Sequence, residues 1–394
     1  MRGSIIKRGK NSYTLRFDAG RDPVTGKRLQ HNVTFRANKK EAEQRMADLL
    51  HQLDTGTFMK PGKVTLGQFL ERWLKEYALP NLSPRTAEGY ESIIRIHLVP
   101  QLGAILLTQL RPEHIQKCYS EVLAVGRCNG PGGLNPLTVR HHHMTLHRAL
   151  QVAVKWGLIP RNPADAIDPP KYQRADMKIM TEDDIETFLE TARNTPYYTC
   201  FYLALFTGMR RSEFLALRWS DVDLIMGQVS VSRSIHQLRD NSLIFRSTKT
   251  AKGRRTIALP PSAIMALRAH KETQEAIYQK INGAPPAEDS MVFCHVDGTA
   301  LKPDTVSSAW AVLAARAGLK GIRLHDARHT HASLMLKQGI HPKIVQERLG
   351  HASIQTTLDT YSHVAPGLQE AAAKRFDELV SAGQKHRAHV EAIK

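Results

Sequence analysis

The chain has no uninterrupted apolar run of the roughly eighteen residues that a membrane-spanning helix needs, which excludes an integral helical membrane protein. Its opening stretch, MRGSIIKRGKNSY, lacks the apolar segment of a secretory signal, and a cytoplasmic protein is expected. Cysteine is scarce: Cys118, Cys128, Cys200 and Cys294 stand apart, without a CxxC pair. That excludes a disulfide framework and a cysteine-rich zinc site, and the four read as reduced core or loop thiols. Internal repeats and low-complexity segments are missing. Acid is in short supply too, with 37 Asp and Glu against 55 Lys and Arg. No cluster of carboxylates offers itself as a cage for two metal ions, which argues against a metal-dependent nuclease.

What is present is positive charge. A formal net charge of +18 favours a polyanionic partner, and with the membrane set aside that partner is nucleic acid. A hydrophobic fraction of 42% is that of a globular chain, and 394 residues are too many for one core. The expected fold class is multidomain α+β.

Three domains are expected, at 1–57, 64–168 and 176–394. In the first, SIIKR, SYTLRF and HNVTFR read as strands, and ANKKEAEQRMADLLHQLD reads as a helix with Asn38 as N-cap and Glu41 completing a capping box. Residues 1–45 hold twelve Lys and Arg against four acids, so this small sheet domain is read as DNA-binding rather than merely solvated. FMKPGK is a linker. An all-helical domain follows, with starts at Thr65/Gln68, Ser83-Pro84 and Arg111-Pro112, a Gly/Pro-rich loop at 126–136, and a long helix from about Leu137 to Trp156. That helix carries HHHMTLH. His143 and His147 share a face, but Met144 stands where HExxH would need glutamate, so histidines facing solvent or a DNA backbone are preferred to a metal site. PPKYQRADMK is a second linker. A mixed, mainly helical domain then opens at Thr181/Asp184, with helices at 181–193 and 197–207, strands at 228–235, 242–248 and 254–259 forming a small antiparallel sheet, and helices again from 261.

Four patches of this last domain combine chemically: TGMRRSEFLALRWSDVD, STKTAKGRRTIAL, LHDARHTHASLML and LGHASIQTTLDTYSHV. Taken singly each is ordinary. Arg210 and Glu213 are three apart, as on many helix surfaces. Ile354, Leu358 and Tyr361 could form an apolar helix face that simply packs. Together the patches supply two arginines, two histidines, a lysine and a tyrosine. That inventory suits metal-free phosphodiester chemistry. Guanidinium forks neutralise the nonbridging oxygens, an acid protonates the leaving oxygen, and a phenol attacks to form a covalent ester.

TGMRRSE, the TKT hairpin, HDARHTHA and LGHASIQTTLDTYSH resemble the signature boxes of the tyrosine recombinase (phage integrase) family in identity, order and spacing. The resemblance extends over essentially the whole chain. It implies an N-terminal arm-type DNA-binding domain, a helical core-binding domain, and a catalytic domain ending in an exchange helix. It implies that Arg210 and Arg328 bind the scissile phosphate, that Lys249 protonates the leaving 5′ oxygen, and that His325 is the acid/base partner of the tyrosine. His351 would donate to a nonbridging oxygen, and Tyr361 would attack to leave a 3′-phosphotyrosine. No cofactor and no metal are implied. The implied partners are double-stranded DNA at core and arm sites, a homotetramer in the synapse, and an accessory protein of the DNA-bending or excisionase type. The extra basic domain points to the integrase of a prophage or conjugative transposon. Residues 367–381, GLQEAAAKRFDELVS, read as the exchange helix, with Phe376 as an apolar anchor in a neighbouring subunit. The rival reading is a non-catalytic helix-turn-helix regulator, drawn from HPKIVQERLGHASIQTTLDTY with Gly350 between two short helices.

Overall fold

The computed structural model describes residues 3–21, 26, 28–54, 63–128, 130–173, 177–247, 253–283 and 285–361, together with 373, 376 and 377. Lys249 and nearly all of the 367–381 helix lie outside the described residues, as do the linker residues 58–62. The chain divides into two compact units, Met1–Arg174 and Ala175–Lys394.

The first unit begins with an antiparallel sheet, β1 (Gly3–Gly9), β2 (Ser12–Arg21) and β3 (Arg28–Arg36), in that order. Period-two alternation in β2 turns Tyr13, Leu15 and Phe17 to one face, where Ala42, Met46 and Leu49 of α1 (Lys39–Asp54) cover them. Asn38 caps α1 as its sequence requires: its Oδ1 accepts from Glu41 N at 2.9 Å, and Glu41 Oε2 accepts from Asn38 N at 3.3 Å.

The helical segment of this unit has its own apolar core, which includes Phe69, Trp73, Leu98, Tyr119 and Leu150. Thr65 and Gln68 form a reciprocal capping box that starts α2 (Leu66–Trp73). This helix passes through a π turn, Leu74–Ala78, into α3 (Leu79–Asn81). α4 (Pro84–Ile93), capped by Ser83, passes through a second π turn, Ile94–Leu98, into α5 (Val99–Leu102). α6 (Pro112–Val125) and the long α7 (Pro136–Lys155) complete the bundle, and α7 packs against α2, α4 and α6. The α7 histidines do not all face outward as expected. His142 is 1% exposed and stacks on His97 at 4.5 Å, while His143 is buried with its Nδ1 3.3 Å from Tyr119 Oη. His147 turns out instead, and its Nε2 meets Asp165 Oδ1 at 2.8 Å. With apolar residues at Val139, Leu146, Ala149 and Leu150 on the packed face, helical spacing carries His142 inward with them.

The second unit starts at α8 (Glu182–Ala192), capped reciprocally by Thr181 and Asp184. α9 (Tyr198–Thr207), YTCFYLALFT, is apolar all round and so is buried, in contact with α8, the short α10 (Arg211–Phe214) and later helices. The sheet elements are β4 (Val222–Asp223), β5 (Gln228–Val231), β6 (Arg233–Gln237), β7 (Leu243–Ser247) and β8 (Arg255–Ala258). The expected 228–235 strand breaks at Ser232. Its first half joins an antiparallel β4-β5-β8 sheet and its second half pairs with β7 in a separate hairpin, so the described residues form two small sheets where one was expected. Helices α11 (Pro261–Asn282), α12 (Pro303–Arg316), α13 (Leu324–Lys337), α14 (Pro342–Leu349) and α15 (Ile354–Tyr361) follow. The core centres on Trp310, whose ring lies 4.1 Å from that of Phe188 and 5.1 Å from that of Phe201. Among the described residues no helix is long and apolar enough to cross a membrane.

Candidate active site

Two helix ends build the site. α9 stops at Gly208, whose φ of +64° is the left-handed conformation that glycine adopts most cheaply. A side chain there would also collide, since a Cβ would lie 2.7 Å from both His331 and Leu349. α14 stops in the same way at Gly350, φ +68°, where a Cβ would lie 2.9 Å from Arg255 Nη1.

The carbonyls at the end of α14 lack intrahelical partners and carry the negative end of the helix dipole. Three arginines from three other segments satisfy three consecutive ones. Arg255 Nε donates to Arg348 O at 2.7 Å, Arg328 Nη2 donates to Leu349 O at 2.8 Å, and Arg210 Nη2 donates to Gly350 O at 3.3 Å. Arg328 Nη1 also donates to Gly208 O at 2.8 Å, which ties α13 to the end of α9. Each of the three guanidiniums is thus held in part by backbone.

One carboxylate sits among them. Glu213 Oε1 accepts from Arg210 Nη1 at 2.6 Å, and Glu213 Oε2 accepts from Arg255 Nη2 at 2.8 Å. Burial would raise the Glu213 pKa, but the hydrogen bond and charge of Arg255, with Arg210, outweigh it and hold the carboxyl below its ordinary range. Three guanidiniums against one carboxylate leave positive charge over. Arg328 feels it: burial, then the charge of Arg210, press its pKa down to about 9. It is still cationic at neutral pH, and an anion entering the pocket would relieve it.

His351 follows Gly350 directly. Its carbonyl accepts from Gln346 Nε2 at 2.7 Å, and its Nδ1 lies 2.8 Å from the hydroxyl of Thr357 on α15. Desolvation, followed by the charges of Arg328, Arg210 and Arg255, lowers its pKa to about 4, so it is neutral at physiological pH. The Tyr361 ring lies parallel to it, 6.4 Å away at an interplanar angle of 9°. Tyr361 is 1% exposed and belongs to an apolar cluster with Ala332, Leu336, Val345 and Leu349. Of the face that could have packed as a whole, Ile354 and Leu358 are exposed and only Tyr361 is buried, together with Thr357. The Tyr361 hydroxyl lies 2.9 Å from Nδ1 of His329, and the His329 ring makes a T-shaped contact with His325 at 4.8 Å. His325 itself is solvent-exposed. Even so, partial desolvation and then the charge of Arg328, with smaller contributions from Arg323 and Arg210, keep its pKa below the ordinary histidine value.

Arg210, His325, Arg328, His351 and Tyr361 therefore share one site, linked by the contacts above. Lys249 precedes β8 in sequence, outside the described residues. Arg255, His329 and Thr357 were not singled out in the sequence. His329 had a signal, since it stands four residues after His325 and so on the same helix face. Arg255 was one of several basic residues in a single hairpin, and its partners Glu213 and Arg348 are 42 and 93 positions away.

Residues 178–367 match the phage integrase family, and residues 65–123 match the phage integrase N-terminal SAM-like domain. The chain is 26% identical to the ICEBs1 integrase of Bacillus subtilis, over 96% of this chain and 100% of that one. It is 25% identical to a XerC-like tyrosine recombinase of Caldanaerobacter subterraneus, over 95% and 98%. Among solved structures, the Tn1549 transposon integrase in complex with transposon right end DNA superposes with a TM-score of 0.67, at 20% identity over 80% of this chain and 100% of that one. A lambda integrase dimer bound to a core site gives 0.56, at 21% identity over 90% and 93%. The chain belongs to the phage integrase family of tyrosine recombinases. It is a site-specific, DNA strand-transferring enzyme and not a helix-turn-helix regulator.

Proposed function

We propose that this recombinase integrates and excises a mobile element, a prophage or a conjugative transposon, by cutting and rejoining double-stranded DNA through a 3′-phosphotyrosine. The observation that carries the reading is the trio of arginines held on the last carbonyls of α14, beside Tyr361. In this reading Arg210 and Arg328 clamp the nonbridging oxygens of the scissile phosphate with their remaining N–H donors. Arg255 acts behind them, fixing Glu213 and through it Arg210. His351 donates its Nε2 proton to a nonbridging oxygen while Thr357 holds Nδ1. His325 is the acid/base group facing solvent, and Lys249 protonates the leaving 5′ oxygen. Tyr361 is the nucleophile. Because its side chain is buried, the wall formed by α15 has to shift before a phosphate reaches the phenol.

Residues 1–57 are read as the arm-site domain, 64–168 as the core-binding domain and 176–394 as the catalytic domain. The basic sheet supports the first assignment, because phosphate neutralisation supplies sequence-independent affinity. A lambda integrase dimer is recorded on a core site and the Tn1549 integrase on transposon right end DNA, and one lambda integrase structure is a tetramer on a Holliday junction. By that likeness this chain works as a homotetramer on core and arm sites, with Phe376, 72% exposed, as the apolar anchor between subunits. A DNA-bending or excisionase-type accessory protein completes the assembly. The reaction needs no cofactor or metal, since arginines do the charge stabilisation and the phosphotyrosine conserves the bond energy. Trapping the protein covalently on DNA and sequencing what it holds tests the proposal. A defined core sequence joined to the protein supports it, and failure to form any covalent adduct on nicked duplex refutes it.

A further inference from the structure

Tyr361 has a neighbour to which the family-based reading gave no part. We propose that His329 is the group that takes the phenol proton as Tyr361 attacks the phosphate. This rests on Tyr361 being the nucleophile, as argued above, and adds a reacting residue to that site.

The geometry is specific. His329 Nδ1 lies 2.9 Å from Tyr361 Oη, within the reach of a general base. His329 sits on a firm support, and Tyr361 is packed against it before DNA arrives. His329 lies in the middle of α13, one residue after Arg328, whose guanidinium is pinned to Gly208 O and Leu349 O. Tyr361 is 1% exposed and its ring is parallel to that of His351. A phenol in such a place has no bulk water to receive its proton, and an ordinary phenol pKa near 10 leaves almost no phenolate at neutral pH without an acceptor. The contact exists before DNA arrives, and in the tautomer with the ring proton on Nε2 the phenol donates to Nδ1, so the proton has its destination. His325, the exposed imidazole in T-shaped contact with His329, then serves the tyrosine one step removed, through His329.

The step balances. The Oη–H bond breaks as Oη bonds to phosphorus, and the proton moves to Nδ1 of His329 in the tautomer whose Nε2 carries the ring proton. The bond from phosphorus to the 5′ oxygen breaks, and that oxygen takes a proton from the Lys249 ammonium. Religation reverses each transfer. Phenolate character in the transition state is favoured by the neighbouring Arg328, whose own charge is in turn stabilised by Tyr361.

The test uses the full chain and a nicked duplex carrying the sequence recovered from the trapped adduct. His329→Ala and His329→Gln should bind this duplex as wild type does and lose cleavage by roughly a hundredfold or more, the usual scale for general-base removal. Glutamine keeps a hydrogen-bonding group but cannot take the proton. Added imidazole should restore cleavage by the alanine variant in proportion to its concentration. Should the alanine variant not fold, the glutamine variant carries the rate comparison. Cleavage within a few-fold of wild type in either variant, with Tyr361→Phe inactive, would overturn the role of His329 and leave the nucleophile assignment standing. A rate loss that imidazole does not touch would make His329 a positioning residue and overturn proton acceptance. An adduct formed by Tyr361→Phe would instead refute the reading on which the inference rests.

Discussion

Arg255 and Glu213 form an ion pair with almost no access to water: their side chains are 6% and 4% exposed, and Arg255 Nη2 lies 2.8 Å from Glu213 Oε2. Glu213 also orients Arg210, so one buried carboxylate organises two guanidiniums. Removing one partner of a buried pair strands the other charge, and Arg255→Ala is expected to cost about 3–5 kcal/mol of stability, read by urea unfolding. The pH dependence follows from Glu213, whose pKa in the folded state lies below the value of 4.5 that it takes when unperturbed. Its contribution is complete above that value and is lost as pH falls through the lower folded pKa. Glu213→Gln should remove this acid-linked loss, and an unchanged acid limb in the variant would show that the pair is not its source.

Arg210 is the more accessible of the two arginines proposed to clamp the phosphate, with 39% of its side chain exposed. Arg210→Ala should therefore leave the fold largely intact while slowing cleavage by roughly a hundredfold or more, the scale of a lost preorganised oxyanion donor. Arg328→Ala should lose stability as well, because Gly208 O and Leu349 O would both lose a donor. Single-turnover cleavage beside thermal melting separates the two effects. Equal melting temperatures for both variants would contradict this division of labour.

The buried histidines of the helical segment make a separate prediction. Desolvation, then the neighbouring His97 and His141, lower the pKa of His142 from 6.5 to about 4. The neutral form is favoured in the fold, so stability from this group is complete above pH 6.5 and is lost progressively as pH falls toward 4. The full loss is on the order of 3 kcal/mol. His142→Asn, which does not titrate there, should flatten the decline between those limits in urea titrations of the full chain. A variant that declines as steeply as wild type would place the sensitivity elsewhere.

Removing residues 1–60 should cost affinity for arm-site DNA and spare cleavage at the core site. The deleted segment holds much of the basic excess, so the salt dependence of binding should also become shallower. Gel shifts across a salt series measure both. Unchanged arm binding with an unchanged slope would mean that the basic sheet serves another purpose.

Much of the architecture was legible because its signals are local. The capping boxes at Asn38/Glu41, Thr65/Gln68 and Thr181/Asp184 sit within one helical turn, and each is formed as the sequence indicates. The split of the 228–235 strand at Ser232 was not legible, because which sheet each half joins depends on β8 and β7, further along the chain. The inward turn of His142 and the burial of Tyr361 depend on what packs opposite them. The pattern around α15 groups Ile354 and Leu358 with Tyr361 on one face, but only Tyr361 is buried, with Thr357, where the two meet His329 and His351. The motif residues announced the chemistry. The helix-end carbonyls that aim the arginines come from backbone, which no side-chain motif records.

The most direct test of the account is to identify the atom that joins protein to DNA. Wild-type protein incubated with nicked core-site duplex in EDTA and without ATP, then digested with protease and nuclease, should yield one nucleotide-linked peptide, modified at Tyr361 through a phosphodiester. Tyr361→Phe should bind the same duplex with little loss and yield no such peptide. A linkage at any other residue, a link that persists in the Phe variant, or a strict need for a divalent ion would contradict it.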